Sequence, residues 1–401
     1  MSQPQSFQQL VEHFRPLFSR IAEGTVQRER DRELPHTQLA WLKKAKFGTL
    51  RIPVEQGGYG LTLPQLFTLL TELAEADSNL PQALRAHFAF IEDLLNQPDT
   101  ELRRRWFTRF VAGELVGSGW TEIGEVKVGE VLTKVTPDTE GWWLNGEKFY
   151  STGTLYADWI DVYAQRSDDG SDVIALVNVH QAGVQREDDW DGFGQRLTGS
   201  GTTRFVQAKV ETPHVYPFSQ RFRYQTAFYQ QVLLATLAGV SKALTRDASE
   251  AVAARQRVYS HGNAKLVRHD AQVLQVIGQL ASWSYAVEAT VKRASQALEH
   301  AFIVHDSEDE ELIQQANITA ELEVAKAQVI ATELVLRSTS ELFNALGASD
   351  TRLSKALDRH WRNARTLSSH NPVIYKTRDI GDWHVNKNTP TFIWQIGKGG
   401  D

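Results

Sequence analysis

The segment Arg362–Pro372, RNARTLSSHNP, gathers two arginines, a histidine and a helix-ending proline into eleven residues. A histidine with a pKa near neutrality can hold or pass on a proton. Equally, His370 could finish a helix by bonding a free carbonyl. His87, in LRAHFAF, is a lone histidine on an otherwise apolar helix face, which suits a satisfied core residue as well as a reactive one. The common catalytic motifs are missing: there is no P-loop, no His-Glu-x-x-His zinc motif and no G-x-S-x-G nucleophile elbow. GFGQRLTGSG (192–201) is glycine-rich, but it lies among strand-like runs and opens no helix, so it is not a dinucleotide fingerprint. His300 with His305, and His261 with His269, have no carboxylate at a matching ligand spacing and read as solvated helix histidines; no metal is expected. With no cysteine, the chain has no disulfide framework, thiolate metal site or cysteine nucleophile.

A chain of 401 residues can form two or three domains or one multi-layer unit. The net charge of −6, with Lys and Arg scattered among acids, argues against nucleic-acid binding. The start, MSQPQSFQQLVEHFRPLF, is polar and amphipathic, and no apolar run approaches the roughly 20 residues of a membrane span. The expectation is a soluble, cytoplasmic protein with no membrane partner.

Three textures follow one another. In the first, LPQLFTLLTELAEA (63–76) carries Leu66, Leu69, Leu70 and Leu73 on one helix face. A further helix is expected with Pro81 in its first turn and Asn96 at its end, and the glycine-dense PVEQGGYG (53–60) reads as a turn. Next come short β-rich runs such as WIDVYAQR, DVIALVNV and TTRFVQAKVE, with Asn145-Gly146 and Asp169-Gly170 as turn signals. Three long helical runs close the chain, and DSEDEE (306–311) reads as acids complementing a helix N-terminus. The expected fold class is α+β: an N-terminal helical domain (1–113), a central antiparallel β-barrel domain (114–215) and a C-terminal four-helix bundle (216–401).

This order of parts resembles the acyl-CoA dehydrogenase fold. GSGWTE (117–122), NGEKFYSTGTLYADW (145–159), DDWDGFGQRLTGSGTTRF (188–205) and DRHWRNARTLSSHNP (358–372) are similar to that family's flavin strand, hairpin, R-x-T-x-S segment and C-terminal R-D-A-R helix. A dehydrogenase needs a carboxylate base, in the commonest version nine residues after the arginine of R-D-A; that count from Arg362 lands on Asn371. Nor does the alternative position, near Tyr229-Gln230-Gln231, offer a carboxylate, and an amide cannot accept the proton at neutral pH. STG, TGSG and WRNARTLSSHNP instead resemble the flavin-dependent monooxygenase branch, which includes the dibenzothiophene monooxygenases and sulfur-acquisition oxidoreductases.

The resemblance implies a two-component monooxygenase. Reduced FMN (FAD is the alternative) would come from a separate NAD(P)H:flavin reductase, and O2 would give a C4a-(hydro)peroxyflavin that oxygenates a small sulfur-containing or aromatic substrate. The competing readings are a flavoprotein dehydrogenase with an unrecognised base, and a non-catalytic scaffold. By resemblance, His370, His87 and Thr152 are the catalytic candidates, with Ser151 the fallback for Thr152. Tyr150 and Trp190 would wall the flavin, Thr121 would lie on its strand, and Ser200 with Arg255 or Arg257 would reach its phosphate. A homotetramer is implied, because the family's flavin sites draw on two subunits. The branch's dibenzothiophene members carry a further histidine three residues before the equivalent of His370; here that position is Leu367. Phe88, Phe90, Tyr150, Trp190 and Trp283 supply aromatic surface suited to a small apolar substrate.

Overall fold

The computed structural model describes residues 6–123 and 127–393. Seven helices come first: α1 (Phe7–Ala22), α2 (Thr25–Asp31), α3 (His36–Lys44), α4 (Leu63–Ala76), α5 (Asn79–Ala83), α6 (Arg85–Leu95) and α7 (Glu101–Val111). Eight strands follow: β1 (Val116–Gly119), β2 (Lys134–Asp138), β3 (Gly141–Lys148), β4 (Trp159–Arg166), β5 (Asp172–Asn178), β6 (Val184–Arg186), β7 (Thr203–Val210) and β8 (Val215–Pro217). The chain then forms α8 (Gln225–Ala254), α9 (Ala271–Ile303), α10 (Glu310–Glu341), α11 (Arg359–Ser369) and α12 (Val373–Asn386).

Helix α8 is apolar on nearly every face because it is surrounded: it packs on α4, α9, α10 and α11. Gly239 permits the α4 crossing, since a Cβ there would lie 2.3 Å from Ala74 Cβ and 2.6 Å from Thr71 O. One apolar core runs through both helical regions, joining Phe14, Phe47, Leu66 and Phe88 to Val232, Leu237 and Ala331. Asp309 caps α10, and Glu310 and Glu311 fill its first turn, the role expected for DSEDEE.

The barrel expectation fails. The sheet runs β6-β7-β3-β2-β4-β5-β8 with β1 beside β4, and its outer strands β6 and β8 do not pair with each other. It is also mixed, because β1 and β2 both run parallel to β4. Alternating strand patterns report buried faces but carry no information on closure or pairing direction. Asn145-Gly146 is not a turn: it sits inside β3, where the register with β7 shifts between Leu144 and Gly146. Gly146 has φ +148°, and a Cβ there would lie 2.6 Å from Thr133 Cα, so the glycine serves a bulge. The helix expected from Pro81 to Asn96 breaks at Leu84 into α5 and α6, which makes Arg85 the first residue of α6.

Candidate active site

Helix α11 is fixed at its start and middle, and this places His370 at its end. Asp247 of α8 accepts from His360 Nε2 at 2.9 Å and from Arg359. Burial opposes the Asp247 charge, but the His360 hydrogen bond and the neighbouring cations outweigh it and hold the carboxyl well below its usual range. Arg362 donates to Glu29 at 3.1 Å and to Phe193 O at 3.0 Å, and Asn363 Oδ1 accepts from Gln195 N at 2.6 Å. The first arginine of the RNAR motif is thus a clamp, and α11 is tied to the 190–200 loop.

His370 is the C-terminal cap residue of α11. Arg85 Nη2 lies 3.0 Å from His370 Nε2. A guanidinium only donates, so Nε2 must be the unprotonated nitrogen and Nδ1 carries the hydrogen. Burial and then the Arg85 charge lower the His370 pKa to about 3. As a whole the residue is exposed; the adjacent cation fixes the direction of the shift, and the imidazole is neutral at pH 7. Arg85 in turn faces the ring of Tyr229, 5.3 Å from its centroid.

Beside this pair, Asn371 Nδ2 donates to Gln230 Oε1 at 2.7 Å, and Asn371 O accepts from Gln328 Nε2 at 2.9 Å. Asn371, the expected base position, is thus a carboxamide bonded to a second carboxamide in the Tyr229-Gln230-Gln231 stretch. Neither can remove a proton.

The opposite rim comes from the sheet. Thr121 O accepts from Phe149 N at 2.8 Å, which brings the end of β1 beside Tyr150, Ser151 and Thr152. Ser200 Oγ lies 3.0 Å from Thr152 Oγ1 and 2.8 Å from Thr198 Oγ1. Thr152 itself donates only to Tyr150 O, at 3.2 Å, so its proton can turn to an incoming acceptor. Two non-glycine residues on this rim have left-handed backbone, Tyr150 at φ +55° and Gln195 at φ +51°, and Gln195 Oε1 is buried without a hydrogen bond. Trp190 meets Tyr150 edge to face at 5.6 Å and donates from Nε1 to Gly194 O at 3.1 Å.

The two rims touch where Trp120 packs on Tyr229, with ring centroids 5.7 Å apart. A buried network holds this junction. Arg221 lies 3.4 Å from Asp93 and 3.1 Å from Asp161, Trp120 Nε1 donates to Asp161 at 3.2 Å, and Arg221 Nη2 donates to Tyr229 OH at 3.2 Å. Burial opposes the Arg221 charge, but the two carboxylates outweigh it and raise its pKa.

The structure does not bring every sequence candidate to these rims. His87 is fully buried on the other face of α6; its Nε2 bonds Gly48 O at 2.9 Å and its ring packs on Phe110. Burial lowers its pKa to about 4. Ser151 turns inward, donating to Lys148 O at 3.3 Å. Phe88 and Phe90 belong to the apolar cores, and Trp283 of α9 lies under Arg337 of α10. Arg255 caps the far end of α8, 5.2 Å from the Tyr259 ring, and Arg257 beyond it is exposed. Arg85 and Tyr229 were not among the sequence candidates. A cavity of about 900 Å³ opens near the start of α11, lined by Asp77, Asp247, His360 and Asn363 among others, and it touches none of the candidates. Among the described residues, no cluster of three or more His, Asp or Glu could hold a metal, and no helix is long and apolar enough to cross a membrane.

Two helical regions around a sheet, with carboxamides at Gln230 and Asn371, define a class. The chain matches "Acyl-CoA dehydrogenase, N-terminal domain" over residues 5–114 and "Acyl-CoA dehydrogenase, C-terminal domain" over residues 232–374, and it belongs to that superfamily. Within it, the chain is 26% identical over 365 residues to a dibenzothiophene monooxygenase of Mycolicibacterium goodii, covering 85% of each protein. It is 25% identical over 389 residues, 94% of each, to the "Probable FMNH2-dependent monooxygenase SfnC" of Pseudomonas putida. Its fold superposes on FMN-bound TdsC of Paenibacillus sp. A11-2 with a TM-score of 0.84 and 26% identity, covering 95% of this chain and 99% of that one.

Proposed function

We propose that this protein is an FMNH2-dependent monooxygenase that oxygenates a small organosulfur compound, using reduced flavin delivered by a separate NAD(P)H:flavin reductase. The observation that carries the reading is the Asn371–Gln230 pair: the expected base position is a carboxamide, bonded to a second at 2.7 Å, beside a neutral histidine. The monooxygenase relatives and the FMN-bound neighbour support the same class and cofactor.

The donor set fits FMN. Thr152 and Ser200 offer uncharged hydroxyls, matched to the neutral heteroatoms of an isoalloxazine, and Tyr150 and Trp190 offer aromatic edges. Reduced FMN, when bound, supplies two electrons to O2, one oxygen atom reaching the substrate and the other leaving as water. The chain's own task is to orient, to donate hydrogen bonds and to keep bulk water out. Thr152 would offer its proton to the bound ring, while Ser200 holds the Thr152 oxygen. His370 acts as a fixed, neutral group with a single N–H at Nδ1; with Nε2 occupied by Arg85, it is a positioning group and not an acid.

Arg255 stands 26 residues beyond Tyr229 on α8, about 39 Å along the helix axis. It cannot reach a flavin phosphate at its own chain's rims. On this reading the arginines at 255 and 257 would serve a neighbouring copy, which agrees with the homotetramer that the family resemblance implies.

Mixing the protein and reduced FMN with aerated buffer in a stopped-flow spectrometer tests the assignment. A flavin absorbance transient that outlives the reoxidation of free FMN is expected. Reoxidation identical to that of free FMN would sink the reading.

A further inference from the structure

Among the described residues, five arginines are buried: Arg28, Arg51, Arg85, Arg221 and Arg359. Four of them reach a carboxylate, namely Asp77, Glu92, the pair Asp93 and Asp161, and Asp247. Arg85 reaches none. Its surface is 7% exposed, its hydrogen-bond partner is His370, and its aromatic neighbour is Tyr229. Its Nε and Nη1 bond nothing among the described residues, yet neither is sealed from solvent. These donors belong to one planar fork beside His370 and Tyr229. Burial lowers the Arg85 pKa only to about 10, so the group keeps its charge.

A desolvated cation without a counter-charge costs several kcal/mol, and a guanidinium fork matches the paired oxygens of an oxyanion. We propose that Arg85 is the specificity-determining residue of this site and receives an oxyanionic group of the substrate (a sulfinate, sulfonate or carboxylate), with His370 as the positioning residue that aims the fork. The inference rests on the monooxygenase reading and narrows its substrate class from apolar to anionic. Flavin is the other candidate anion. Its hydroxyl partners lie on the sheet rim, however, and Arg85 stands on the helix rim with Tyr229 between it and Trp120.

Titration calorimetry on protein loaded with oxidised FMN, where no turnover occurs, tests the proposal with methanesulfinate and its neutral counterpart dimethyl sulfoxide. Methanesulfinate should bind at least about 10-fold tighter. Arg85→Met should remove about 10- to 100-fold of that affinity, leaving dimethyl sulfoxide and FMN binding unchanged. Arg85→Lys should keep part of it. His370→Gln, whose carbonyl can still accept from the guanidinium, should hold affinity where His370→Ala loses it. Equal binding of the two probes overturns the proposal, as does an Arg85→Met protein that loses FMN affinity instead. If Arg85→Met fails to fold, the Lys variant and the wild-type probe comparison decide. A missing stopped-flow transient, by contrast, removes the monooxygenase reading whatever the probes do.

Discussion

Arg221 and Arg85 touch the same tyrosine and do opposite work. Arg221 bonds the hydroxyl of Tyr229 and sits between Asp93 and Asp161, fully enclosed. Arg85 faces the ring of Tyr229 with a neutral histidine for company and open donors. A buried cation whose charge is balanced within the chain serves the fold; one left unbalanced beside a recess is available to a ligand. Tyr229 and Trp120 are where the two meanings meet, because the Arg221 network fixes the wall that Arg85 looks past.

That contrast can be broken most forcefully at Arg221. Arg221→Met strands two buried carboxylates and should cost about 3–5 kcal/mol of stability in urea unfolding. The Arg85→Met change strands no carboxylate and removes an unpaired buried cation, so it should not destabilise the fold and should raise its stability by about 1 kcal/mol or more. Equal losses at the two sites would erase the distinction. The histidines give the next largest effect. His87 is enclosed and its folded pKa of about 4 lies below the unfolded value near 6.5. Below pH 6.5 the unfolded chain takes up a proton that the folded chain refuses, so stability falls as pH drops from 6.5 toward 4, by up to about 3 kcal/mol. His87→Leu should flatten that limb and leave turnover per folded molecule unchanged; a loss of turnover would return His87 to the site.

Smaller effects sharpen the comparison. Asn371→Asp places a carboxylate beside His370 and gives Arg85 a competing partner, much as Arg221 has. Methanesulfinate affinity should fall about 10-fold, and calorimetry would show an unchanged value if Arg85 were not the anion's partner. Thr152→Val removes one neutral hydroxyl and should weaken FMN binding only about 2- to 10-fold by fluorescence titration.

The fold was legible where periodicity reports burial. The 63–76 stripe is α4 to the residue, and WIDVYAQR is β4 to the residue. Closure of the sheet was not legible, because pairing partners are set by contacts far apart in sequence. At the site, His370 was readable from its segment, but its partner was not. Arg85 and His87 are two residues apart, so α6 points them to nearly opposite faces. Attention to the histidine selected the buried one. A signal did exist: Pro81, Gln82, Phe88 and Ala89, the residues three and four away from Arg85, include no acid that could pair with it on a helix.

The most direct test of the account supplies the protein with reduced FMN and methanesulfinate under ¹⁸O₂ and measures label in the oxidised product by mass spectrometry. One labelled oxygen atom per product molecule is the predicted result. Product free of label, or bound oxidised FMN that is instead reduced by an acyl thioester, would contradict it.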